Sequence, residues 1–401
     1  LLEELRAADS LEEAMISSGG DVRPRILFIT RKYPPSVGGM ERLSHELTSH
    51  MREMTACSVI AWGYSQKLLP FFLISAFFRA VFRLSSGGYD MIHVGDALLS
   101  PIGVILKKLS DRPVAVNLHG LDMAYPNGLY QWMIRTFLPR LDLFICISRH
   151  TREVAERVGV PAGKIRVIPC GIEVDEITQG RERGVPKECL SRCIGRDVRD
   201  KKILLTVGRL VRRKGVRHFI GDILPKIIAG CPELLYVVIG SGEEEQDIRE
   251  EIEKRGLRRH VILLGRVDDE ALRDIYAGSD IFVMPNIHVN GDVEGFGIVA
   301  LEASLAGLPV IAFAVEGIRD AIVDGRNGIL VDAGDVDTFS DKVVELLQNE
   351  RERASLGRKG REHTRRDFGW NRIARLYFES FVACVEGLEP PVVDSVEEVW
   401  R

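Results

Sequence analysis

The chain is short of the features that would place it in a disulfide-stapled, zinc-stapled, nucleic-acid-binding or membrane-spanning class. Its cysteines (Cys57, Cys146, Cys170, Cys189, Cys193, Cys231 and Cys384) are scattered, and no Cys-x-x-Cys pair occurs. Their odd number and wide spacing favour reduced thiols in a cytosolic compartment over a disulfide framework. Cys189 and Cys193 lie four apart, but no His or Cys partner stands nearby to complete a zinc site. Charge of one sign is also missing: the formal net charge is −4, which gives no sign of a phosphate-backbone binder. The longest apolar run, residues 68–84, is interrupted by Pro70, Arg79 and Arg83 and is too short to span a bilayer. Residues 1–24 are acidic and end in Ser-Ser-Gly-Gly-Asp ahead of Val22, unlike a positively charged leader. They are expected to be an appendage, at most a short amphipathic helix, with no assigned function.

A hydrophobic content of 45% and a charged content of 28% describe a globular chain, and 401 residues suit two domains of ordinary size. Strand-like runs appear at 25–30, 57–62, 91–94, 114–117, 143–147 and 164–168, mostly separated by helix-like stretches such as 40–54. The pattern weakens through the charged, Gly/Pro-interrupted segment 173–200 and restarts with runs at 202–207, 234–239, 261–264, 281–284 and 309–312. Two β/α series split by a linker predict an α/β protein of two facing Rossmann-like domains with the site in the cleft between them. The expected division is an appendage (1–24), a first domain (25–195), a second domain (196–370), and a last helix with its tail (371–401). That helix, from 370 to 385, is a candidate to cross back onto the first domain.

The most informative stretch is Asp292-Val-Glu-Gly-Phe-Gly-Ile-Val-Ala-Leu-Glu302. In one continuous helix Glu294 and Glu302 would stand roughly 12 Å apart and about 80° out of phase. Gly295 and Gly297 argue instead for a bent turn that carries Glu294, a helix starting near Gly297, and Glu302 just over one turn inside it. The amides of Phe296, Gly297 and Ile298 would then face a ligand as an anion site. Carboxylates beside such a site suit a ligand that is part phosphate and part polyol, as a nucleotide sugar is.

Other turns at predicted strand ends add to this. Val207-Gly-Arg209-Leu-Val-Arg-Arg-Lys214-Gly places two cations beyond a strand; Arg209 and Lys214 could neutralise a diphosphate, although basic residues there are most often solvated surface. Gly240-Ser-Gly242 and Gly265-Arg266 are turns where backbone could approach a nucleotide. Gly38-Gly39 precedes a helix, and its alternative reading is an ordinary loop. His119-Gly120 sets an imidazole at a sheet edge, where a lone His is usually incidental.

In this order, Val37-Gly-Gly39, His119-Gly120, Val207-Gly-Arg209 with Lys214-Gly, Gly240-Ser-Gly242 and the Glu294–Glu302 run resemble glycosyltransferase family 4 over roughly residues 25–385. The resemblance implies the GT-B fold and a retaining hexosyltransferase that uses a nucleotide diphosphate sugar, in UDP or GDP form, as co-substrate without a further cofactor. It implies that Arg209 and Lys214 bind the diphosphate, that Glu302 holds the ribose and Glu294 the transferred sugar, and that Phe296, Gly297 and Ile298 give backbone contacts. Gly39 would meet the diphosphate from the opposite domain, His119 would reach the sugar, and Gly240, Gly242, Arg266 and Val267 would complete the donor site. Glu294, His119, Arg209 and Lys214 form the implied catalytic set. The run Asn290-Gly-Asp-Val-Glu-Gly-Phe-Gly is similar to mannosyl- and related hexosyltransferases, including phosphatidylinositol mannosyltransferases. The acceptor is then expected to be a glycan or lipid-linked intermediate of envelope biosynthesis. No metal is expected: Asp335-Val-Asp337 lies in a late loop far from these motifs. The rival readings are a sugar-nucleotide 2-epimerase of the same fold, which would need acid/base carboxylates in the first half, and a non-catalytic nucleotide-sugar-binding protein.

Residues 68–84 concentrate Phe and Leu beside Arg79 and Arg83. The segment reads either as a buried helix of the first domain or as an interfacial helix that docks a cytoplasmic enzyme on the inner face of the membrane. Lys107, Lys108 and Arg112 add positive charge nearby in sequence.

Overall fold

Short β-branched and aliphatic runs with no alternation are what a parallel sheet covered on both faces requires, and among the described residues twelve of them form two such sheets. In the computed structural model, residues 23–64, 66–174, 185 and 187–388 are described. The appendage, apart from Arg23 and Pro24, and the tail beyond 388 lie outside them. The first sheet contains β1 (Ile26–Thr30), β2 (Cys57–Ala61), β3 (Met91–Val94), β4 (Val114–Leu118), β5 (Leu143–Cys146) and β6 (Ile165–Val167), in the order β2-β1-β3-β4-β5-β6. The second contains β7 (Lys202–Val207), β8 (Leu234–Ile239), β9 (Val261–Gly265), β10 (Ile281–Met284), β11 (Val310–Phe313) and β12 (Gly328–Val331), in the order β12-β11-β10-β7-β8-β9. Neighbouring strands pair in parallel throughout both sheets. Strand order reverses at β1/β3 in the first sheet and at β7/β10 in the second. Ligands of open α/β sheets bind at such reversals, beyond the carboxyl ends of the strands.

The helices that matter for the site follow from local signals. Gly38 precedes α1 (Gly39–Met54), which buries Leu43, Leu47 and Met51 at helical spacing. Helices α2 (Leu69–Ser85), α3 (Ser100–Ser110) and α4 (Gly128–Phe137) cover one face of the first sheet, and α5 (Arg149–Arg157) starts at the capping Ser148. The segment expected to be a weakly structured linker contains a helix, α6 (Lys187–Ile194), whose Leu190 and Ile194 are buried; Leu190 packs against Gly278 at the end of α7 (Asp269–Gly278). Its apolar spacing was masked by Lys187, Glu188 and Arg192 in so short a helix. Residues 175–184 and 186 of that linker lie outside the described residues. Strand β12 is an edge strand whose run is cut short by Gly328, and its periodicity was too brief to read.

After α8 (Ile298–Leu305) and α9 (Glu350–Phe368), the chain turns at Gly369 into α10 (Trp370–Glu386). Gly369 bridges Ile172, Trp370 stacks on His50 of α1, and Phe381 meets Phe28 of β1 at 6.3 Å. The last helix therefore packs on the first sheet. Among the described residues, no helix is long and apolar enough to cross a membrane. Helix α2 is neither wholly buried nor wholly surface: Phe72, Ala76 and Ala80 face the sheet, while Phe71, Ile74, Phe78 and Phe82 stand exposed.

His93 of β3 is buried between Phe28 at 4.8 Å and Phe381 at 5.6 Å, and its Nε2 lies 3.2 Å from Asn117 Oδ1. Burial pushes its imidazole down to about 4, the Asn117 contact opposes this, and His119 adds to the lowering. A His held below its unfolded value of about 6.5 contributes stability that is complete above that pH. The contribution is lost as pH falls toward 4, roughly 3 kcal/mol in all at 1.36 kcal/mol per unit. His93→Gln is expected to flatten the urea-unfolding stability profile between pH 6.5 and 4, and an unchanged slope would contradict this assignment.

Candidate active site

Two turns at the reversal point of the second sheet form one half of the site. The turn after β7 runs through Arg213 and Lys214, and the turn after β10 runs from Pro285 to Gly297. They are joined backbone to backbone, with the Ile287 N–H donating to the Arg213 carbonyl at 2.9 Å. This brings Lys214 Nζ to 2.6 Å from Glu294 Oε2 and Arg213 Nε to 3.5 Å from the same oxygen. Asn286 donates to that carboxylate at 3.0 Å, and Arg213 also binds Asp292 at 2.6 Å. Burial alone would raise the Glu294 carboxyl, but the charges of Lys214 and Arg213 outweigh it and hold the group below the usual carboxylate range. Glu294 is thus an ionised carboxylate in a cluster whose charges balance.

Beyond Glu294 the backbone bends as the glycines foretold. Gly297 has φ +93° and stands at the N-cap of α8, with Glu302 just over one turn inside. A side-chain carbon at Gly295 would lie 2.4 Å from the carbonyl oxygen of His119. Only glycine lets this turn reach the first sheet so closely. Across the same cleft a side-chain carbon at Gly39 would lie 3.7 Å from Ile298 Cδ1, Arg42 of α1 pairs with Glu302 at 2.9 Å, and Arg149 of α5 pairs with Asp320 at 2.5 Å. A cavity of about 620 Å³ opens between the turn Pro34–Gly39 on one side and Tyr276, Ile298, Val299 and Glu302 on the other.

The residues anticipated from sequence therefore divide. Gly39, His119, Lys214, Glu294, Gly297, Ile298 and Glu302 converge on the cleft. The Phe296 ring does not, since it is buried against Phe368 at 6.1 Å, which leaves only its backbone for a ligand. Arg209 is exposed, and Arg266 is exposed beside Ser241 at 3.3 Å; Val267 is half-buried against the core. Gly240 and Gly242 have a structural explanation of their own: side chains there would strike the Gly208 and Leu210 carbonyls at 1.8 and 2.2 Å, because the two turns pack on each other. Asp335, of the Asp335-Val-Asp337 run, caps a later helix by accepting from the Thr338 N–H at 3.0 Å, and Asp337 pairs with Lys226.

Several residues of the site carried too weak a signal to be singled out. Arg213 sits in a run of three cations, where spacing does not say that it turns inward together with Lys214. Glu316 has φ +47°, and its carboxylate accepts the Glu294 N–H at 2.5 Å while also meeting His288 at 2.9 Å. A non-glycine residue in that region is uncommon and often marks a constrained functional turn. Asp122 accepts the N–H groups of His119 and Ala97 at 2.9 and 3.0 Å, and burial raises its carboxyl against the pull of His119. It fixes the His119 turn, whose imidazole Nε2 lies 3.0 Å from the Gly95 carbonyl. Tyr276 donates to Glu302 at 3.0 Å. Among the described residues, Glu46, His50 and Glu173 place ligand-type atoms within 4.8 Å of one another. These three tie α1 to the segment after β6 and include none of the anticipated donor residues.

Replacing Glu294 by Gln would leave Lys214 and Arg213 without their shared counter-charge in a buried setting, and breaking such a pair costs about 3–5 kcal/mol. The wild-type contribution is present above the ordinary carboxylate range and is lost as pH falls through the lower folded value. Urea unfolding at neutral pH should therefore show Glu294→Gln destabilised by about 3 kcal/mol or more. A loss near zero would mean that the cluster is not organised by this carboxylate.

Comparison with known proteins agrees with this geometry. Residues 37–176 match the family described as Glycosyltransferase Family 4, and residues 194–363 match Glycosyl transferases group 1. The chain is 36% identical over 371 residues to a GDP-mannose-dependent monoacylated alpha-(1-6)-phosphatidylinositol monomannoside mannosyltransferase of Corynebacterium glutamicum, covering 86% of this chain and 94% of the relative. It is 26% identical over 382 residues to a GDP-mannose-dependent alpha-(1-6)-phosphatidylinositol monomannoside mannosyltransferase of Mycolicibacterium smegmatis, covering 88% and 97%. In fold it is similar to Anabaena HepE, solved in complex with UDP (TM-score 0.73, 19% identity, 90% of this chain and 100% of that one). A glycosyltransferase from Rickettsia africae gives a TM-score of 0.74 at 16% identity, covering 91% and 99%. With the two facing sheets of the GT-B architecture and a relative of this identity over nearly its whole length, the chain belongs to the family 4 glycosyltransferases.

Proposed function

We propose that the enzyme transfers a hexose from a nucleotide diphosphate sugar, in GDP or UDP form, to a glycan or lipid-linked acceptor of envelope biosynthesis, with retention of anomeric configuration. The observation that carries this reading is the Lys214–Glu294 pair held at the second sheet's reversal point, directly beside the approach of Gly295 to His119. In this reading residues 196–370 bind the donor and residues 25–195 receive the acceptor. The diphosphate lies between Gly39 and the start of α8, where helix-end amides and Lys214 favour the charge that develops on the leaving group. Arg209, exposed at the rim, closes on the diphosphate from outside. Glu294, released from Lys214 by the incoming phosphate, accepts hydroxyls of the transferred sugar, and His119 meets the sugar from the first sheet.

Glu302 is assigned to the ribose, so Arg42 must leave it when a donor enters. The two glutamates have separate partners, Lys214 and Arg213 for one and Arg42 and Tyr276 for the other. They therefore do not act as the close carboxylate pair of a retaining glycosidase. Glu294 positions the sugar, and a donor phosphate oxygen takes the acceptor proton. No metal is given a role. The GDP-mannose and phosphatidylinositol mannoside named for the relatives favour a mannosyl donor and a lipid-linked acceptor. The exposed Phe71, Ile74, Phe78 and Phe82 of α2, beside Arg79 and Arg83, support a cytoplasmic enzyme in peripheral contact with the inner face of the membrane through residues 68–84.

A thermal-shift panel of GDP- and UDP-sugars tests the donor. The cognate compound at about a hundred times its Kd should stabilise the protein by about 2.7 kcal/mol. Lys214→Ala should cost about 10²–10³ in kcat, and Glu294→Ala should abolish both transfer and donor hydrolysis. Stabilisation by no nucleotide sugar, or full activity of both variants, would overturn the proposal.

A further inference from the structure

Exposed apolar side chains are concentrated on one flank of the first sheet. Phe71, Ile74, Phe78 and Phe82 of α2, Ile105 and Leu109 of α3, and Leu129 and Trp132 of α4 all stand more than two-fifths exposed. Of these, Ile74, Phe78 and Ile105 line one shared cavity, and exposed apolar side chains grouped in this way mark a binding surface. This cavity lies between the three helices; its volume of about 480 Å³ is within the range of about 300–1,000 Å³ usual for small-molecule sites, and its lining also includes Leu73, Phe77, Ile102, Tyr130 and Met133. Apart from the Tyr130 hydroxyl, the side chains that line it are hydrocarbon or thioether. The three helices carry Arg79, Arg83, Lys107, Lys108 and Arg135 and no acidic residue; Lys107 is paired with Asp142 at 2.6 Å, which leaves the other four to set the charge of the flank. An apolar slot set in a cationic flank complements an amphiphile with a hydrocarbon chain and an anionic head.

One wall of the slot is also linked through the protein to the catalytic cleft. Tyr130, in its wall, donates its hydroxyl to the Asp122 carbonyl. The Asp122 carboxylate holds the amide of His119, whose carbonyl meets Gly295. One wall of the slot is therefore two hydrogen bonds from the turn that faces the transferred sugar.

We infer that the slot between α2, α3 and α4 holds one acyl chain of an anionic lipid acceptor and so delivers its head group to the His119 side of the cleft. This rests on the lipid-linked acceptor of the proposed function and adds to membrane contact a stoichiometric site for a single chain. The test uses 1-palmitoyl lysophosphatidylglycerol below its micelle concentration, titrated by calorimetry into the full chain, with glycerophosphoglycerol as the chainless control. Saturable binding near one per chain is expected, with none for the control. Ile102→Trp, which fills the slot without adding charge, should weaken that binding at least tenfold while pelleting with phosphatidylglycerol vesicles persists. Ile74→Asp, at an exposed position that does not threaten folding, should lower both. The nucleotide-sugar thermal shift should survive in each variant, so a failed donor reading is seen separately. Equal lysolipid binding by wild type and Ile102→Trp, vesicle binding with no saturable single-chain site, or burial of this flank in a dimer by sedimentation would each overturn the inference.

Discussion

The buried ion pair between Lys214 and Glu294 is the interaction on which the rest of the site depends. Each residue belongs to a turn at the carboxyl edge of a different strand, and the two turns are joined by the Ile287 N–H donating to the Arg213 carbonyl. A carboxylate so enclosed is tolerable only when paired and hydrogen-bonded. Lys214, Arg213 and Asn286 meet that requirement from the β7 and β10 sides together. Because Glu294 is fixed, Gly295 can be set against the His119 carbonyl and α8 can begin at Gly297. The reversal of strand order chooses the place, and the charge cluster gives it a defined shape.

The first sheet answers with less charge and more backbone. Gly39 approaches Ile298, His119 is anchored by Asp122, and Arg42 and Arg149 reach Glu302 and Asp320. The chain returns through α10 to pack Phe381 on Phe28, so the two sheets are tied at the cleft and again at the back. In the proposed reaction a donor exchanges partners rather than entering an empty charged pocket. Phosphate takes Lys214 from Glu294, and ribose takes Glu302 from Arg42. The first exchange leaves Glu294 with Arg213 and Asn286, and the second leaves Glu302 hydrogen-bonded to Tyr276 and to neutral ribose hydroxyls, so the cation on the diphosphate is gained at the glutamates' expense.

Much of this was legible in the sequence because it rests on local rules. Uninterrupted apolar runs alternating with helical periods announced two parallel sheets, and the glycines at 295 and 297 announced a bent turn before a helix. What was hidden depends on long-range packing. That Arg213 turns inward together with Lys214 is decided by where the β10 turn lies, not by spacing. Glu316 reaches Glu294 only because the β11 turn adopts a left-handed conformation that its sequence does not demand. Gly240 and Gly242 read as a nucleotide turn, yet contact between neighbouring turns already requires them. Helix α2 escaped a single description because its two apolar faces have different surroundings, one against the sheet and the other exposed.

The central claim is that the donor lies between Gly39 and α8, with its sugar at Glu294. A crystal structure of the complex with its stabilising nucleotide sugar measures this directly. The account predicts Lys214 moved from Glu294 onto the diphosphate, the Glu294 carboxylate within hydrogen-bond distance of the sugar hydroxyls, and Arg42 displaced from Glu302 by the ribose. A nucleotide bound elsewhere, or bound here with the Lys214–Glu294 and Arg42–Glu302 pairs intact, would contradict it.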